Sequence, residues 1–180
     1  MLPAAAGSGK STMTTGLVHA GFDLFSDEVA LLAADLTVSP FPTSICVKDF
    51  GIEIIARMYP RIRDLPIHLR PDGKRVAYLP PPPGAVPPEG HRRAVCGIVF
   101  PCYRAGAPLT SRRLPPAEAL ARLLGQCLNV GSELDHATIG RLVRWIEPMP
   151  CMEIEYGSLE PACAMIGAML HGVRDAGDRG

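Results

Sequence analysis

Aromatic residues are scarce, at 6% of 180, and neither sign of charge is in excess: 18 lysines and arginines face 18 aspartates and glutamates. That balance removes the bulk attraction that draws a protein onto nucleic acid or an anionic membrane. Neither is therefore expected as a partner, and any charged ligand has to be held locally. No stretch reaches the roughly 18 consecutive apolar residues of a membrane helix, and the opening MLPAAAGSGK lacks the basic start and long apolar segment of a signal peptide. A cytoplasmic location is expected. The six cysteines (Cys46, Cys96, Cys102, Cys127, Cys151, Cys163) contain no C-x-x-C pair, which argues against the usual zinc and thioredoxin spacings and leaves most of them to be read as small buried side chains. The five histidines form no H-E-x-x-H, and no G-x-S-x-G elbow is present, so neither a histidine metal site nor a hydrolase triad can be placed.

What the chain does have is a hydrophobic content of 47%, enough for one globular domain spanning residues 1–180. Lys10 to Ala20 reads as a helix with Met13 and Leu17 on one face and Gly21 at its C-terminal stop. Short strands are expected at Phe22–Phe25, Val29–Ala34, Ser44–Val47, Val76–Leu79 and Val95–Phe100. The Pro-rich run at 80–90 must be a loop, because proline fixes φ and lacks an N–H. Three helical stripes follow, each read as core: Leu120, Leu123, Leu124, Cys127 and Leu128 after Pro115 and Pro116; Ile139, Leu142, Val143 and Ile146; and Ala162, Met165, Ile166, Met169 and Leu170 behind a Ser158 cap. Between the last two, Cys151–Tyr156 alternates as a half-buried strand. The expected class is a mixed α/β domain.

Residues Ala4–Ser11, A-A-A-G-S-G-K-S, follow the phosphate-loop spacing G-x-x-x-x-G-K-[ST] with Ala4 at the first glycine. The pattern has physical causes. Gly7 and Gly9 can take conformations closed to other residues, so that successive N–H groups, that of Ser8 included, turn inward around a phosphate. Lys10 carries a cation on a long stem, Ser11 offers a hydroxyl to Mg²⁺, and the following helix aims its positive end at the same place. Only Met1, Leu2 and Pro3 precede this loop. The strand that normally leads into it is thus expected to be missing or supplied from elsewhere, as in an N-terminally truncated chain.

Asp27 and Glu28 lie 17 and 18 positions after Lys10, room for one helix and one short strand, and so fall where α/β sites gather. Carboxylates there can hold Mg²⁺ or take a proton from a hydroxyl attacking the γ-phosphate.

The strings G-S-G-K-S-T, G-F-D-L-F-S-D-E-V-A-L-L and P-F-P-T-S-I-C-V-K resemble the HPr kinase/phosphorylase family, and more closely the bacterial HPr kinase-related proteins. I-V-F-P-C-Y-R-A-G, L-P-P-A-E-A-L-A-R-L and C-M-E-I-E-Y-G-S-L-E-P-A extend the likeness to about Ile166. The resemblance implies a phosphoenolpyruvate carboxykinase-like P-loop fold, Mg-ATP as the nucleotide and phosphoryl transfer to a hydroxyl. Gly7, Gly9, Lys10, Ser11 and Thr12 match the family's phosphate loop. Asp27 matches the first acid of its Asp-Asp pair, the general base, and Glu28 the second. Lys48 corresponds to the arginine of its signature segment, and Cys46 stands where that segment carries an acid. Phosphorylase activity and HPr itself as substrate are therefore not expected. Arg104 is an additional candidate contact for phosphate or substrate.

Three functional readings remain open: an ATP-dependent kinase acting on a protein serine or a small molecule, a noncatalytic nucleotide-binding module, and a small-molecule kinase of another P-loop fold. The acceptor and the oligomeric state, a homo-oligomer included, are not legible.

Overall fold

The computed structural model describes residues 1–5, 7–127 and 135–177, and it is a mixed α/β structure. Among these residues there are five α-helices and three small sheets of three strands each. The chain forms two compact units. One comprises residues 9–94 and 159–164, the other residues 1–8, 95–158 and 165 onward.

The unit that starts at Gly9 opens with α1 (Lys10–His19). Its stop is the one expected: Gly21 has φ +96°, its N–H donates to the Val18 carbonyl, and the N–H of Phe22 reaches back to Leu17. This pair of bonds closes a helix end only when a left-handed residue sits at that position. Two sheets follow. In the first, β1 (Leu31–Leu32), β2 (Thr37–Ser39) and β6 (Arg93–Ala94) run in the order β1-β2-β6. In the second, β3 (Ile45–Lys48), β4 (Ile67–Leu69) and β5 (Arg75–Leu79) run β3-β5-β4, all antiparallel, which leaves β3 at an edge. From β3 the chain passes directly into α2 (Asp49–Ile55). The core of this unit joins Val18 and Leu24 to Ile45, Val47, Ile52, Ile55, Ile62, Ala77 and Leu79.

The other unit is built on β7 (Ile98–Tyr103), β8 (Thr110–Arg113) and β9 (Cys151–Tyr156), ordered β7-β9-β8, with β7 parallel and β8 antiparallel to β9. Helices α3 (Pro116–Leu124) and α4 (His136–Ile146) belong to it, and α5 (Leu159–Gly177) follows β9 after Ser158. Pro115 and Pro116 open α3, and Asp135 caps α4 by accepting from the Thr138 N–H at 2.7 Å. The segment leading into the loop is not a regular strand, but it follows β7 in the parallel sense: Met1 donates to the Gly97 carbonyl and accepts from Val99 N–H, and Tyr103 N–H donates to Ser8.

Several expectations are corrected. Phe22–Phe25 is not a strand: Leu24 N–H goes to Ala85 in the Pro-rich loop and Phe41 N–H to Phe25, single bonds that build no ladder. Val29–Ala34 shrinks to the two residues of β1, and the strand expected from Val95 begins three residues later, at Ile98. Helix α3 ends at Leu124, which leaves Cys127 beyond it and exposed, while Leu128 falls outside the described residues. On α4, Leu142 and Ile146 are buried, but Ile139 and Val143 are exposed, so this stripe is only half core. Of the cysteines, Cys46, Cys151 and Cys163 are buried, whereas Cys96 is exposed and Cys102 intermediate. Residues 80–90 are irregular, as the prolines require.

Candidate functional site

Helix α1 begins without the usual aids. Its N-cap is Gly9, at φ 88° and ψ 12°, with no side-chain cap and no acidic residue in the first turn. Gly7 is also left-handed, at φ 89°. A left-handed conformation costs an L-residue roughly 1–2 kcal/mol, so this backbone path depends on both glycines. Helix N-terminal amides without partners are donors for an anion, and Lys10 stands in the same first turn.

Ser11 lies one residue further on, and its Oγ donates to Asp27 Oδ2 at 2.9 Å. The same oxygen accepts from the backbone N–H of Cys46 at 3.3 Å. Asp27 is only 4% exposed, and its other oxygen, Oδ1, is buried without a hydrogen-bond partner. Burial pushes the Asp27 carboxyl above its ordinary value, with Glu28 adding to the effect, against the opposing pull of the Ser11 and Cys46 hydrogen bonds and the Lys10 charge. A buried anionic oxygen facing no donor is costly, and a cation or a proton is what would satisfy it.

The sequence candidates separate by environment. Lys10, Ser11, Thr12 and Asp27 are gathered here, with Thr12 buried behind Ser11. Glu28 is exposed. Lys48 ends β3 and is the N-cap residue of α2. Arg104 belongs to the other unit, where it pairs with Glu155 at 3.5 Å on the surface. Ser8 Oγ is buried without a partner, and Ala4, Ala5 and Ser8 line a cavity of about 340 Å³ together with Phe100 and Arg122. Among the described residues no three His, Cys, Asp or Glu side chains cluster as metal ligands. A phosphate-loop Mg²⁺ does not need such a cluster, because it takes most of its ligands from phosphate and water.

Two participants escaped the sequence reading. Cys46 contributes its amide and not its side chain, and Gly51, in α2, lies so close to α1 that a Cβ there would sit 2.9 Å from Thr12 Oγ1 and 2.9 Å from Val47 Cγ1. A glycine after a strand was visible in the sequence, but its neighbour across space was not. Comparison with protein-family models, curated proteins and solved structures finds no match.

Proposed function

We propose that this chain binds Mg-ATP at the loop before α1 and transfers the γ-phosphoryl group to a hydroxyl of a protein serine or a small molecule, as its resemblance to the HPr kinase-related proteins implies. The observation that carries the reading is the Ser11–Asp27 hydrogen bond, with its second carboxylate oxygen buried and unpartnered, at the start of a helix entered through two left-handed glycines. A phosphoenolpyruvate carboxykinase-like fold is part of the proposal, supported by the same loop and by the parallel run of the leading segment along β7.

Ser11 and Asp27 fit Mg²⁺: both are oxygen donors, and Asp27 Oδ1 is the atom a cation would satisfy. When bound, Mg²⁺ supplies charge neutralisation at the β- and γ-phosphate oxygens. Lys10 and the first-turn amides bind and orient the triphosphate. Exposure divides the two acids. Asp27, which the resemblance matches to the general base, is committed to Ser11, whereas Glu28 is open to solvent; the proposal therefore moves the base role from Asp27 to Glu28 and leaves Asp27 to Mg²⁺.

Calorimetric titration with ATP, with and without Mg²⁺, on the wild type and Lys10→Ala tests the binding half, and labelled γ-phosphate transfer on the same samples tests the chemistry. Mg²⁺-dependent binding that Lys10→Ala abolishes is expected. Folded wild type that binds no nucleotide overturns the proposal. Cys46, in the place of an acid, favours the second reading, a noncatalytic nucleotide-binding module, which predicts binding without transfer to any acceptor.

A further inference from the structure

Strand β3 is an edge strand, and in an antiparallel pair the amides of alternate residues point away from the partner. Cys46 faces Tyr78 across the pair, yet its N–H leaves the sheet and goes to Asp27 Oδ2. Its neighbours Ile45 and Val47 are therefore the residues whose amides bond to β5. The carboxylate thus closes an otherwise open position on the sheet edge. One oxygen accepts both this amide, at 3.3 Å, and the Ser11 hydroxyl, at 2.9 Å. Both bonds persist only while the first turn of α1 and strand β3 keep their separation. Two residues after Lys48 ends the strand, Phe50 gives way to Gly51, whose missing side chain lets α2 lie directly against Thr12. Thr15 Oγ1 meanwhile holds the Ser11 carbonyl from below at 2.8 Å.

We infer that the β3–α2 junction is a positioning device for this site: the outward amide of Cys46 and the bare backbone of Gly51 together set the spacing at which Asp27 meets Ser11. Gly51 is a positioning residue that acts through Thr12 and Val47 and touches no ligand. Its consequence for Mg²⁺ rests on the nucleotide reading, whereas the spacing itself does not. A Cβ at Gly51 approaches both neighbours more closely than van der Waals contact permits. Thr12 and Val47 are short β-branched side chains with little room to turn, so on this inference α2 and α1 move apart and the shared carboxylate oxygen loses one of its two donors.

Amide hydrogen exchange on the full chain, resolved at Cys46 and Val47, reads this directly. In the wild type the Cys46 amide is protected, and Asp27→Ala removes that protection while Val47 keeps its own. Gly51→Ala lowers Cys46 protection roughly fivefold to tenfold, the equivalent of one hydrogen bond. Adding Thr12→Ser, whose hydroxyl can swing aside, restores part of it. Gly16→Ala is the packing control, because a Cβ there meets Cys163 Sγ at 2.7 Å within the same unit but further along α1. It leaves the Cys46 amide unchanged. With nucleotide, Gly51→Ala shrinks the Mg²⁺ enhancement of affinity by a similar factor and Gly16→Ala does not.

An unprotected Cys46 amide in the wild type overturns the inference, as does equal loss in the two glycine variants. Should Gly51→Ala fail to fold, Gly51→Ala combined with Thr12→Ser takes its place: Cys46 protection below that of Thr12→Ser alone supports the inference, and equal protection overturns it. If wild type binds no nucleotide while Cys46 responds as described, the nucleotide reading falls and the positioning inference stands.

Discussion

Burial works against the ionised form of Asp27. Because burial raises its carboxyl above the ordinary value of 3.8, the folded state binds this proton more tightly than the unfolded state does. Stability from this group is therefore complete below the unfolded value and falls as pH rises through the folded one. Asp27→Asn should then raise the thermal midpoint relative to wild type at pH 7, with the advantage fading as the pH is lowered from the raised folded value toward the ordinary carboxyl value and gone below it, measured by calorimetric scans across pH. The same variant should lose the Mg²⁺ enhancement of ATP binding while keeping the Mg²⁺-independent part, because Lys10 and the helix amides remain. Glu28→Gln should instead leave binding intact and lower phosphoryl transfer by 10²-fold or more, on the order of a lost general base. Such opposite effects of adjacent acids were not legible in the sequence, where Asp27 and Glu28 differ by one methylene. The difference lies in burial, which depends on Cys46 and Ser11 arriving from 19 and 16 residues away.

At the scale of elements, the ends of helices are the most sequence-determined features. The stop of α1 was readable because only glycine takes the required conformation cheaply, and nothing lies within 4 Å of the position a Cβ would take on Gly21. Gly21→Ala should accordingly cost about 1–2 kcal/mol in urea unfolding through the backbone alone. Strands were less legible. Phe22–Phe25 has the composition of a strand, but its Leu24 amide bonds to Ala85 in the Pro-rich loop and its Phe22 amide back to Leu17 at the end of α1, neither of them a strand, and no local pattern encodes that choice. The links between β8, α3 and β9 were equally hidden. Arg112 reaches Glu118 and Glu153, and Arg122 reaches the same two acids. These hydrogen bonds hold the Glu118 and Glu153 carboxyls below their ordinary values. A depressed carboxyl contributes stability above the unfolded value, lost as pH falls. Glu153→Gln should lower the thermal midpoint slightly at pH 7, and the difference should vanish in acid and shrink in molar salt, since this network is near the surface.

For the whole molecule, ligand linkage gives the broadest test. A nucleotide that binds only the folded chain stabilises it by about 2.7 kcal/mol at a hundredfold excess over Kd, which for a chain of this size corresponds to roughly 5–10 °C in thermal midpoint. Mg-ATP should produce that shift in wild type and none in Lys10→Ala. No helix among the described residues is long and apolar enough to cross a membrane.

The sequence alone determined the mixed α/β class, the helix that follows the glycine-rich loop, the irregular 80–90 segment and the identity of Lys10, Ser11 and Asp27 as the chemical groups worth locating. Each of these is local: a left-handed glycine, a missing proline N–H or a period of 3.6 acts over a few residues, whatever the rest of the chain does. The tertiary structure decided that Asp27 is buried and Glu28 is not, that the Cys46 amide is spent on a carboxylate, and that Gly51 must be bare because Thr12 lies against it. Those outcomes depend on which segments meet in space. Burial and hydrogen-bond partners are properties of the meeting, and no residue carries them by itself.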